Sequence, residues 1–315
     1  MTLVGVGPVG VGEVELCVDA VGDPARPLVA LVAGASSSMD AWPPALCRSL
    51  ADGGRYVVRY DHRDTGCSTT GPVGAPAYDG GAFEHDLAGL LRVLAGGPAH
   101  LVGVSMGGGI AQLVALRHPE LVASLTLVAT SPVGGVGPLP GPAPAMEQWL
   151  AAPPPDPDWG DRQAVVDWLL AGERAFAGPL GIDEEQAPAA ARATFDRSHD
   201  LAAAGNHWLV IGGRDDGPAH DVAGIGVPTL VVHGTHDPLF PLPHGEALAA
   251  SVPGARLLVV EGMGHQVPPR STWPTVVPAL LETSRPGPGA VGRQGSSGHG
   301  TSRSNIDQVT QSRWS

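Results

Sequence analysis

The sequence predicts an α/β protein: a doubly wound, mostly parallel sheet that carries a helical cap insertion. Three observations point there. Short apolar runs, Leu28–Val32, Tyr56–Tyr60, Leu101–Val104 and Ser124–Val128, alternate with helical patterns, and near-continuous apolarity is what a strand buried on both faces needs. The alternation stops near Ser131, where Pro and Gly crowd the chain, and resumes at Pro228. One strand ends abruptly at a serine, within Gly103-Val104-Ser105-Met106-Gly107, and a helical run from Ile110 to Leu116 comes directly after it.

Taken in order, the chain opens on an antiparallel hairpin. Gly5-Val6-Gly7-Pro8-Val9-Gly10 matches a dinucleotide fingerprint by letter, but no strand precedes it and no helix succeeds it. The next stretch, Val14 to Asp19, alternates like a half-buried strand. Leu28–Val32 leads into the loop Gly34-Ala35-Ser36-Ser37-Ser38. Asp40 is placed to cap a helix running to Leu50, with Pro43 and Pro44 in its first turn, where proline is tolerated. The strand Tyr56–Tyr60 ends on the charged stretch Asp61-His62-Arg63-Asp64-Thr65-Gly66-Cys67-Ser68. Such a loop at a strand end either touches a ligand or, more commonly, braces the site through Arg–carboxylate contacts. Phe83, Leu87, Leu90, Leu91 and Leu94 share one helical face.

Residues 131–226 read as the cap. Pro-rich segments there cannot continue a sheet, and helical patterns run from Asp161 to Ala177 and from Asp183 to His199. The strand Thr229–Val232, a helix from Gly245, the strand Leu257–Val260 and a helix from about Thr272 to Leu281 complete the core. Its extent is therefore 1–130 and 227–284. The tail from Arg285 to Ser315 is Gly-, Ser- and Pro-rich with few apolar residues, a composition expected to stay disordered.

Composition narrows the function. The 315 residues carry 18 Lys+Arg against 31 Asp+Glu, a net charge of -13, and no residue is lysine. An acidic, lysine-free surface argues against binding nucleic acid or anionic membranes. Cys17, Cys47 and Cys67 form no even framework, which suits a reduced, cytoplasmic compartment. The first residues lack the basic segment of a signal peptide. Oligomeric state is left open.

The chemistry centres on Ser105. A serine at so sharp a strand-to-helix turn stands exposed, and the small residues Gly103 and Gly107 remove clashing side chains. Its hydroxyl needs a base and a group to orient that base. Candidates lie beyond later strands. Asp237 stands in His233-Gly234-Thr235-His236-Asp237-Pro238, and His265 in Glu261-Gly262-Met263-Gly264-His265. His236 is a rival base, although its neighbourhood reads as an exposed turn. Asp237-Pro238 could also be no more than a turn. Donors for an oxyanion are expected from the backbone of Met106, directly after the serine, and of Ala35, with Ser36 as the alternative. No Cys/His/Asp set has metal-ligand spacing, and no cofactor is implied.

These stretches resemble the α/β-hydrolase superfamily over roughly Val14 to Glu282. Gly103-Val104-Ser105-Met106-Gly107-Gly108, Asp61 to Ser68, His233 to Pro238 and Gly262-Met263-Gly264-His265 carry the resemblance. More narrowly, Arg59-Tyr60-Asp61-His62-Arg63-Asp64-Thr65-Gly66, Trp42-Pro43, His236-Asp237-Pro238 and Pro243-His244-Gly245 are similar to actinobacterial esterases of the aclacinomycin methylesterase type. The resemblance implies the α/β-hydrolase fold and a Ser105–His265–Asp237 triad. It also implies hydrolysis of a carboxylic methyl ester on a polyketide-type small molecule. Trp168 and Trp149 are the cap residues expected against an aromatic substrate. Three other readings share the fold: a general short-chain carboxylesterase, a cofactor-free perhydrolase, and a non-catalytic binding protein.

Overall fold

The computed structural model describes residues 1–8, 13–211 and 220–285. Nearly all of the Gly/Ser/Pro-rich tail, from 286 on, lies outside the described residues. Strands β1 (Thr2–Pro8), β2 (Glu13–Val21), β3 (Leu28–Val32), β4 (Tyr56–Tyr60), β5 (Ala99–Val104), β6 (Val122–Val128), β7 (Thr229–Gly234) and β8 (Arg256–Val260) form one sheet. Its order is β1-β2-β4-β3-β5-β6-β7-β8. The pairs β1/β2 and β2/β4 are antiparallel; from β4 to β8 every pair is parallel. The glycine-rich stretch at the start of the chain therefore begins as β1, the first arm of a hairpin.

The two-residue period of a strand sorts its side chains between two cores. Leu28, Ala30 and Val32 of β3 face one side with Ala99 and Leu101 of β5. There they meet Phe83, Leu87, Leu90, Leu91 and Leu94 of α2 (Gly81–Leu94) and Ile110, Ala111 and Val114 of α3 (Met106–Arg117). Val29 and Leu31, with Val102 and Val104, face the other side. They pack on Leu46 and Leu50 of α1 (Pro44–Asp52) and on Val276 and Leu280 of α9 (Trp273–Thr283). Both faces are covered, so these strands can be apolar throughout.

One boundary differs from the expectation. Asp40 caps no α-helix. Ser38 caps a short 3-10 turn, Met39–Ala41, and α1 starts at Pro44. The reason is steric. A residue before proline is driven out of the helical region, and two prolines stand in succession. Trp42 (φ -93°, ψ 105°) and Pro43 (φ -57°, ψ 133°) are both non-helical, so the helix cannot begin earlier. Asp40 is left free to pair elsewhere.

Between β6 and β7 lie α4 (Pro144–Ala151), α5 (Arg162–Phe176), α6 (Ala187–Arg197) and α7 (Asn206–Val210), with no described strand among them. Asp161 caps α5, its carboxylate accepting from Gln163 N and Ala164 N. Val166 and Leu170 of α5 pack on Ala187 and Ala191 of α6 in a small core of their own. After β7, α8 (Pro243–Ser251) returns to the sheet through Leu248. No described helix is long and apolar enough to cross a membrane.

His100 of β5 is buried and pairs through Nδ1 with Ser124 Oγ of β6 at 2.8 Å. Burial pushes its pKa down to about 4. An unfolded histidine titrates near 6.5, so the unfolded chain binds the proton first. Stability is then complete above about pH 6.5 and falls as pH drops from there toward about 4. The expected outcome is that His100→Gln, which cannot titrate, loses about 1–2 kcal/mol less than the parent between pH 7 and pH 5. Urea unfolding at the two pH values measures this; equal losses would assign the acid sensitivity to other groups.

Candidate active site

In the parallel part of the sheet all strands end on one edge, where ligand-binding groups of open α/β sheets collect. There β5 ends at Val104 and α3 begins at Met106, so Ser105 alone makes the turn. Its backbone sits at φ 53°, ψ -121°, a conformation costing about 1–3 kcal/mol outside glycine. Hydrogen bonds on both sides hold it. Ser105 N–H donates to Val128 O at 3.0 Å, and Ser105 O accepts from Gly108 N at 2.9 Å and Thr130 Oγ1 at 2.8 Å. The turn leaves no room beside it. A Cβ on Gly103 would lie 2.3 Å from Gly107 O, and one on Gly107 would lie 2.3 Å from Val32 O.

His265 stands on the loop after β8. Its Nε2 is 2.8 Å from Ser105 Oγ, and its Nδ1 is 2.9 Å from Asp237 Oδ2. With Nδ1–H donating to the carboxylate, Nε2 is an acceptor for the serine O–H. Asp237, on the loop after β7, is buried. Its Oδ1 accepts from Leu239 N at 3.0 Å and Phe240 N at 2.8 Å, an Asx-type turn that orients the side chain locally. The rival His236 is exposed and pairs with Thr235 Oγ1, away from Ser105. Beneath Asp237, burial lowers the pKa of His233, and its Nε2–H donates to Phe240 O at 2.7 Å.

Ala35 comes after β3 on a loop that passes beside the serine. A Cβ on Gly34 would be 3.5 Å from Ser105 Cβ. The Ser36 amide donates to His207 Nδ1 at 2.9 Å and is therefore taken. Among the described residues neither Ala35 N–H nor Met106 N–H donates to another group. Met106 N–H is also the first of α3, at the positive end of the helix dipole.

The aromatic residues divide. Trp149 of α4 packs edge-on against Phe176 at 5.1 Å, and Phe176 lies 5.9 Å from the His265 ring. Phe240 approaches the same ring at 5.3 Å. Trp168 packs on Trp159 at 5.5 Å. Phe176 and Phe240 are absent from the sequence-based candidates, because a single phenylalanine carries no motif.

The charged loop after β4 is tied down. Arg63 grips Asp86 of α2 through two bonds, 2.8 and 2.6 Å. Asp64 accepts from Gly71 N at 2.6 Å and Asn206 Nδ2 at 2.9 Å. Asp61 accepts from Met39 N at 2.8 Å and Cys67 N at 3.0 Å. It also pairs with Arg197 of α6, whose Nε reaches Asp40 Oδ2 at 2.7 Å. Cys17, Asp61 and Cys67 bring their ligand atoms within 4.8 Å of one another. They suit a cation poorly: Arg197 already neutralises Asp61, and burial pushes the Cys17 thiol up to about 12.

A family model described as the alpha/beta hydrolase fold matches residues 27–268. Rhodomycin D methylesterase DauP of Streptomyces sp. (strain C5) is 31% identical over 298 residues, covering 81% of this chain and 90% of that protein. Rhodomycin D methylesterase DnrP of Streptomyces peucetius is 32% identical over 282 residues, with the same coverage of 81% and 90%. Among solved structures, a hydrolase from Pseudomonas aeruginosa PA01 superposes with a TM-score of 0.61 at 26% identity, covering 89% of this chain and 96% of that one.

Removing Arg197 tests the bracing. Arg197→Met leaves Asp61 and Asp40 without their cation, and breaking a buried pair in this way costs about 3–5 kcal/mol. Chemical denaturation at pH 7 reads the loss; a change under about 1 kcal/mol would show that the cluster is solvated and carries little.

Proposed function

The chain belongs to the α/β-hydrolase fold family, and on that premise we propose that it is a serine methylesterase acting on the methyl ester of a polycyclic, anthracycline-type acid. One observation carries the mechanism: Ser105 Oγ lies 2.8 Å from His265 Nε2 while Nδ1 of the same ring faces Asp237 at 2.9 Å. Ser105 Oγ attacks the ester carbonyl and its proton passes to His265 Nε2. The amides of Ala35 and Met106 receive the oxyanion, where preorganised donors act most strongly. Collapse of the tetrahedral intermediate breaks the bond to the methoxy oxygen, which leaves as methanol with the proton from His265. Water, deprotonated by the same ring, then cleaves the acyl-enzyme to the free acid and restores Ser105. Asp237 holds the ring in this orientation through its hydrogen bond to Nδ1.

The substrate assignment rests on the two rhodomycin D methylesterases, similar over most of this chain, and on the aromatic groups near His265. We assign residues 131–226 as a cap over the strand ends. Trp149 and Phe176 offer flat surface beside the base, and Trp168, paired with Trp159, is the second candidate. Binding a large acyl group there positions the carbonyl over Ser105 and so raises turnover. Methanol needs almost no pocket of its own.

Kinetics test both parts. Ser105→Ala lowers ester turnover by at least ~10³-fold with the fold intact; near-parental turnover would sink the mechanism. A methyl ester of a polycyclic acid exceeds a short-chain alkyl ester in kcat/KM by at least ~10²-fold in the parent. Trp149→Ala and Trp168→Ala, measured side by side, show which tryptophan supports that ratio. A parent that prefers small acyl groups is a general short-chain esterase instead.

A further inference from the structure

The mechanism needs the Ala35 amide aimed at the ester oxygen, yet Ala35 sits on a loop with no regular structure of its own. Two buried histidines outside the triad grip that loop on either side of Ala35. His62, on the loop after β4, donates Nε2–H to Ala33 O at 3.0 Å. His207, at the start of α7, accepts the Ser36 N–H on Nδ1 at 2.9 Å. The other nitrogen of His207 donates to Arg63 O at 2.8 Å. These partners leave one tautomer open to His207: neutral, with the proton on Nε2. Both rings are essentially inaccessible, 1% exposed for His62 and 0% for His207. They meet edge to face at 5.9 Å, and Phe83 closes against both.

The gripped segment needs such a hold. Ser36 is a non-glycine residue at φ 56°, a left-handed conformation that must be stabilised from outside. Its Oγ–H donates to Ala204 O at 2.7 Å, again across to the chain before α7. Burial pushes the His62 pKa down to about 3 and lowers that of His207, so both rings stay neutral and keep these roles near neutral pH.

We propose that His207 and His62 are positioning residues that clamp residues 33–36 and so aim the Ala35 N–H at the oxyanion formed on Ser105. The inference rests on the serine-esterase reading above. It assigns the segment 131–226 a part in the chemical step, through a ring that touches neither substrate nor triad.

Two polar substitutions separate the two bonds of His207. In His207→Asn the side-chain oxygen takes the place of Nδ1 and still accepts from Ser36. In His207→Gln the amide reaches toward Arg63 O but offers no acceptor at the Nδ1 position. The expected result is that His207→Gln loses ~30-fold or more in kcat, part of the ~10²–10³-fold cost of losing an oxyanion donor outright. His207→Asn stays at least ~10-fold above it, and KM for the methyl ester moves less than ~3-fold in both. Inhibition by phenylboronic acid, whose adduct with Ser105 carries a tetrahedral oxyanion, weakens in parallel with kcat. Parental kcat in His207→Gln, or a loss confined to KM, overturns the proposal. So does equal loss in both variants with unchanged boronate affinity, which marks a role in stability alone. If Ser105→Ala retains parental turnover, the esterase reading falls and this inference with it. Measured next to the variants, that control tells the two failures apart. Should either variant fail to fold, ¹⁵N shifts of the His207 ring in the parent protein decide. A bare Nδ1 and a protonated Nε2 support the clamp, and the opposite tautomer overturns it.

Discussion

Ser105 holds a backbone conformation, φ 53° and ψ -121°, that a serine does not adopt unaided, and the surroundings are built to keep it there. The amide is fixed by β6 through Val128 O, and the carbonyl by the first turn of α3 and by Thr130. For α3 to start so abruptly, its first turn must touch the end of β3. Gly107 lies where a Cβ would be 2.3 Å from Val32 O. That contact brings the loop after β3 alongside the serine, so one steric constraint assembles both the proposed nucleophile and the proposed oxyanion donors. A local cost of about 1–3 kcal/mol is small against a core buried on both faces of the sheet.

Among the described residues, the segment between β6 and β7 is fastened to this arrangement at several places, three of which lie close to Ser105 or to the loops around it. Phe176 O, at the end of α5, accepts the backbone amide of His265 at 2.8 Å, and Leu180 N–H donates to Gly262 O at 3.1 Å. The two chains approach so closely there that a Cβ on Gly264 would sit 2.2 Å from Gly178 N. Arg197 of α6 bridges Asp40 and Asp61. Ser36 is bound by Ala204 and His207. Backbone contacts at the loop after β8, a buried ion pair at the loop after β4 and an imidazole at the loop after β3 leave the segment mechanically continuous with the site. On the reading proposed above, a segment joined in this way helps to position the reacting groups as well as to cover them.

Electrostatics obey the same division. The buried ion pairs, Arg63 with Asp86 and Arg197 with Asp61, lie in the framework around the site. Such pairs add geometric definition more dependably than net stability. His62, His100, His207 and His233 are buried, and desolvation pushes the pKa of each ring down, so each stays neutral. In that state they contribute directed hydrogen bonds and no charge.

The sheet and the turn at Ser105 are legible in the sequence because their signals are local. β3 to β7 are buried on both faces, so each reads as an apolar run. The turn at Ser105 requires Gly103 and Gly107, so it reads as a short motif. Asp237 and His265 could be picked out as candidates because each stands just past a recognisable strand. Tertiary structure alone decided the rest. Arg197 meets Asp61 across 136 residues and Ser36 meets His207 across 171, and no periodicity relates such positions. Trp42 and Pro43, each held extended by the proline next in the chain, deny Asp40 its helix, and Asp40 then turns to Arg197. Phe176 gains its place beside His265 only because the Gly178–Gly264 contact docks its chain on that loop. A strand or a tight turn is specified by residues that neighbour one another in the chain, whereas these contacts exist only once distant parts of the chain have come together.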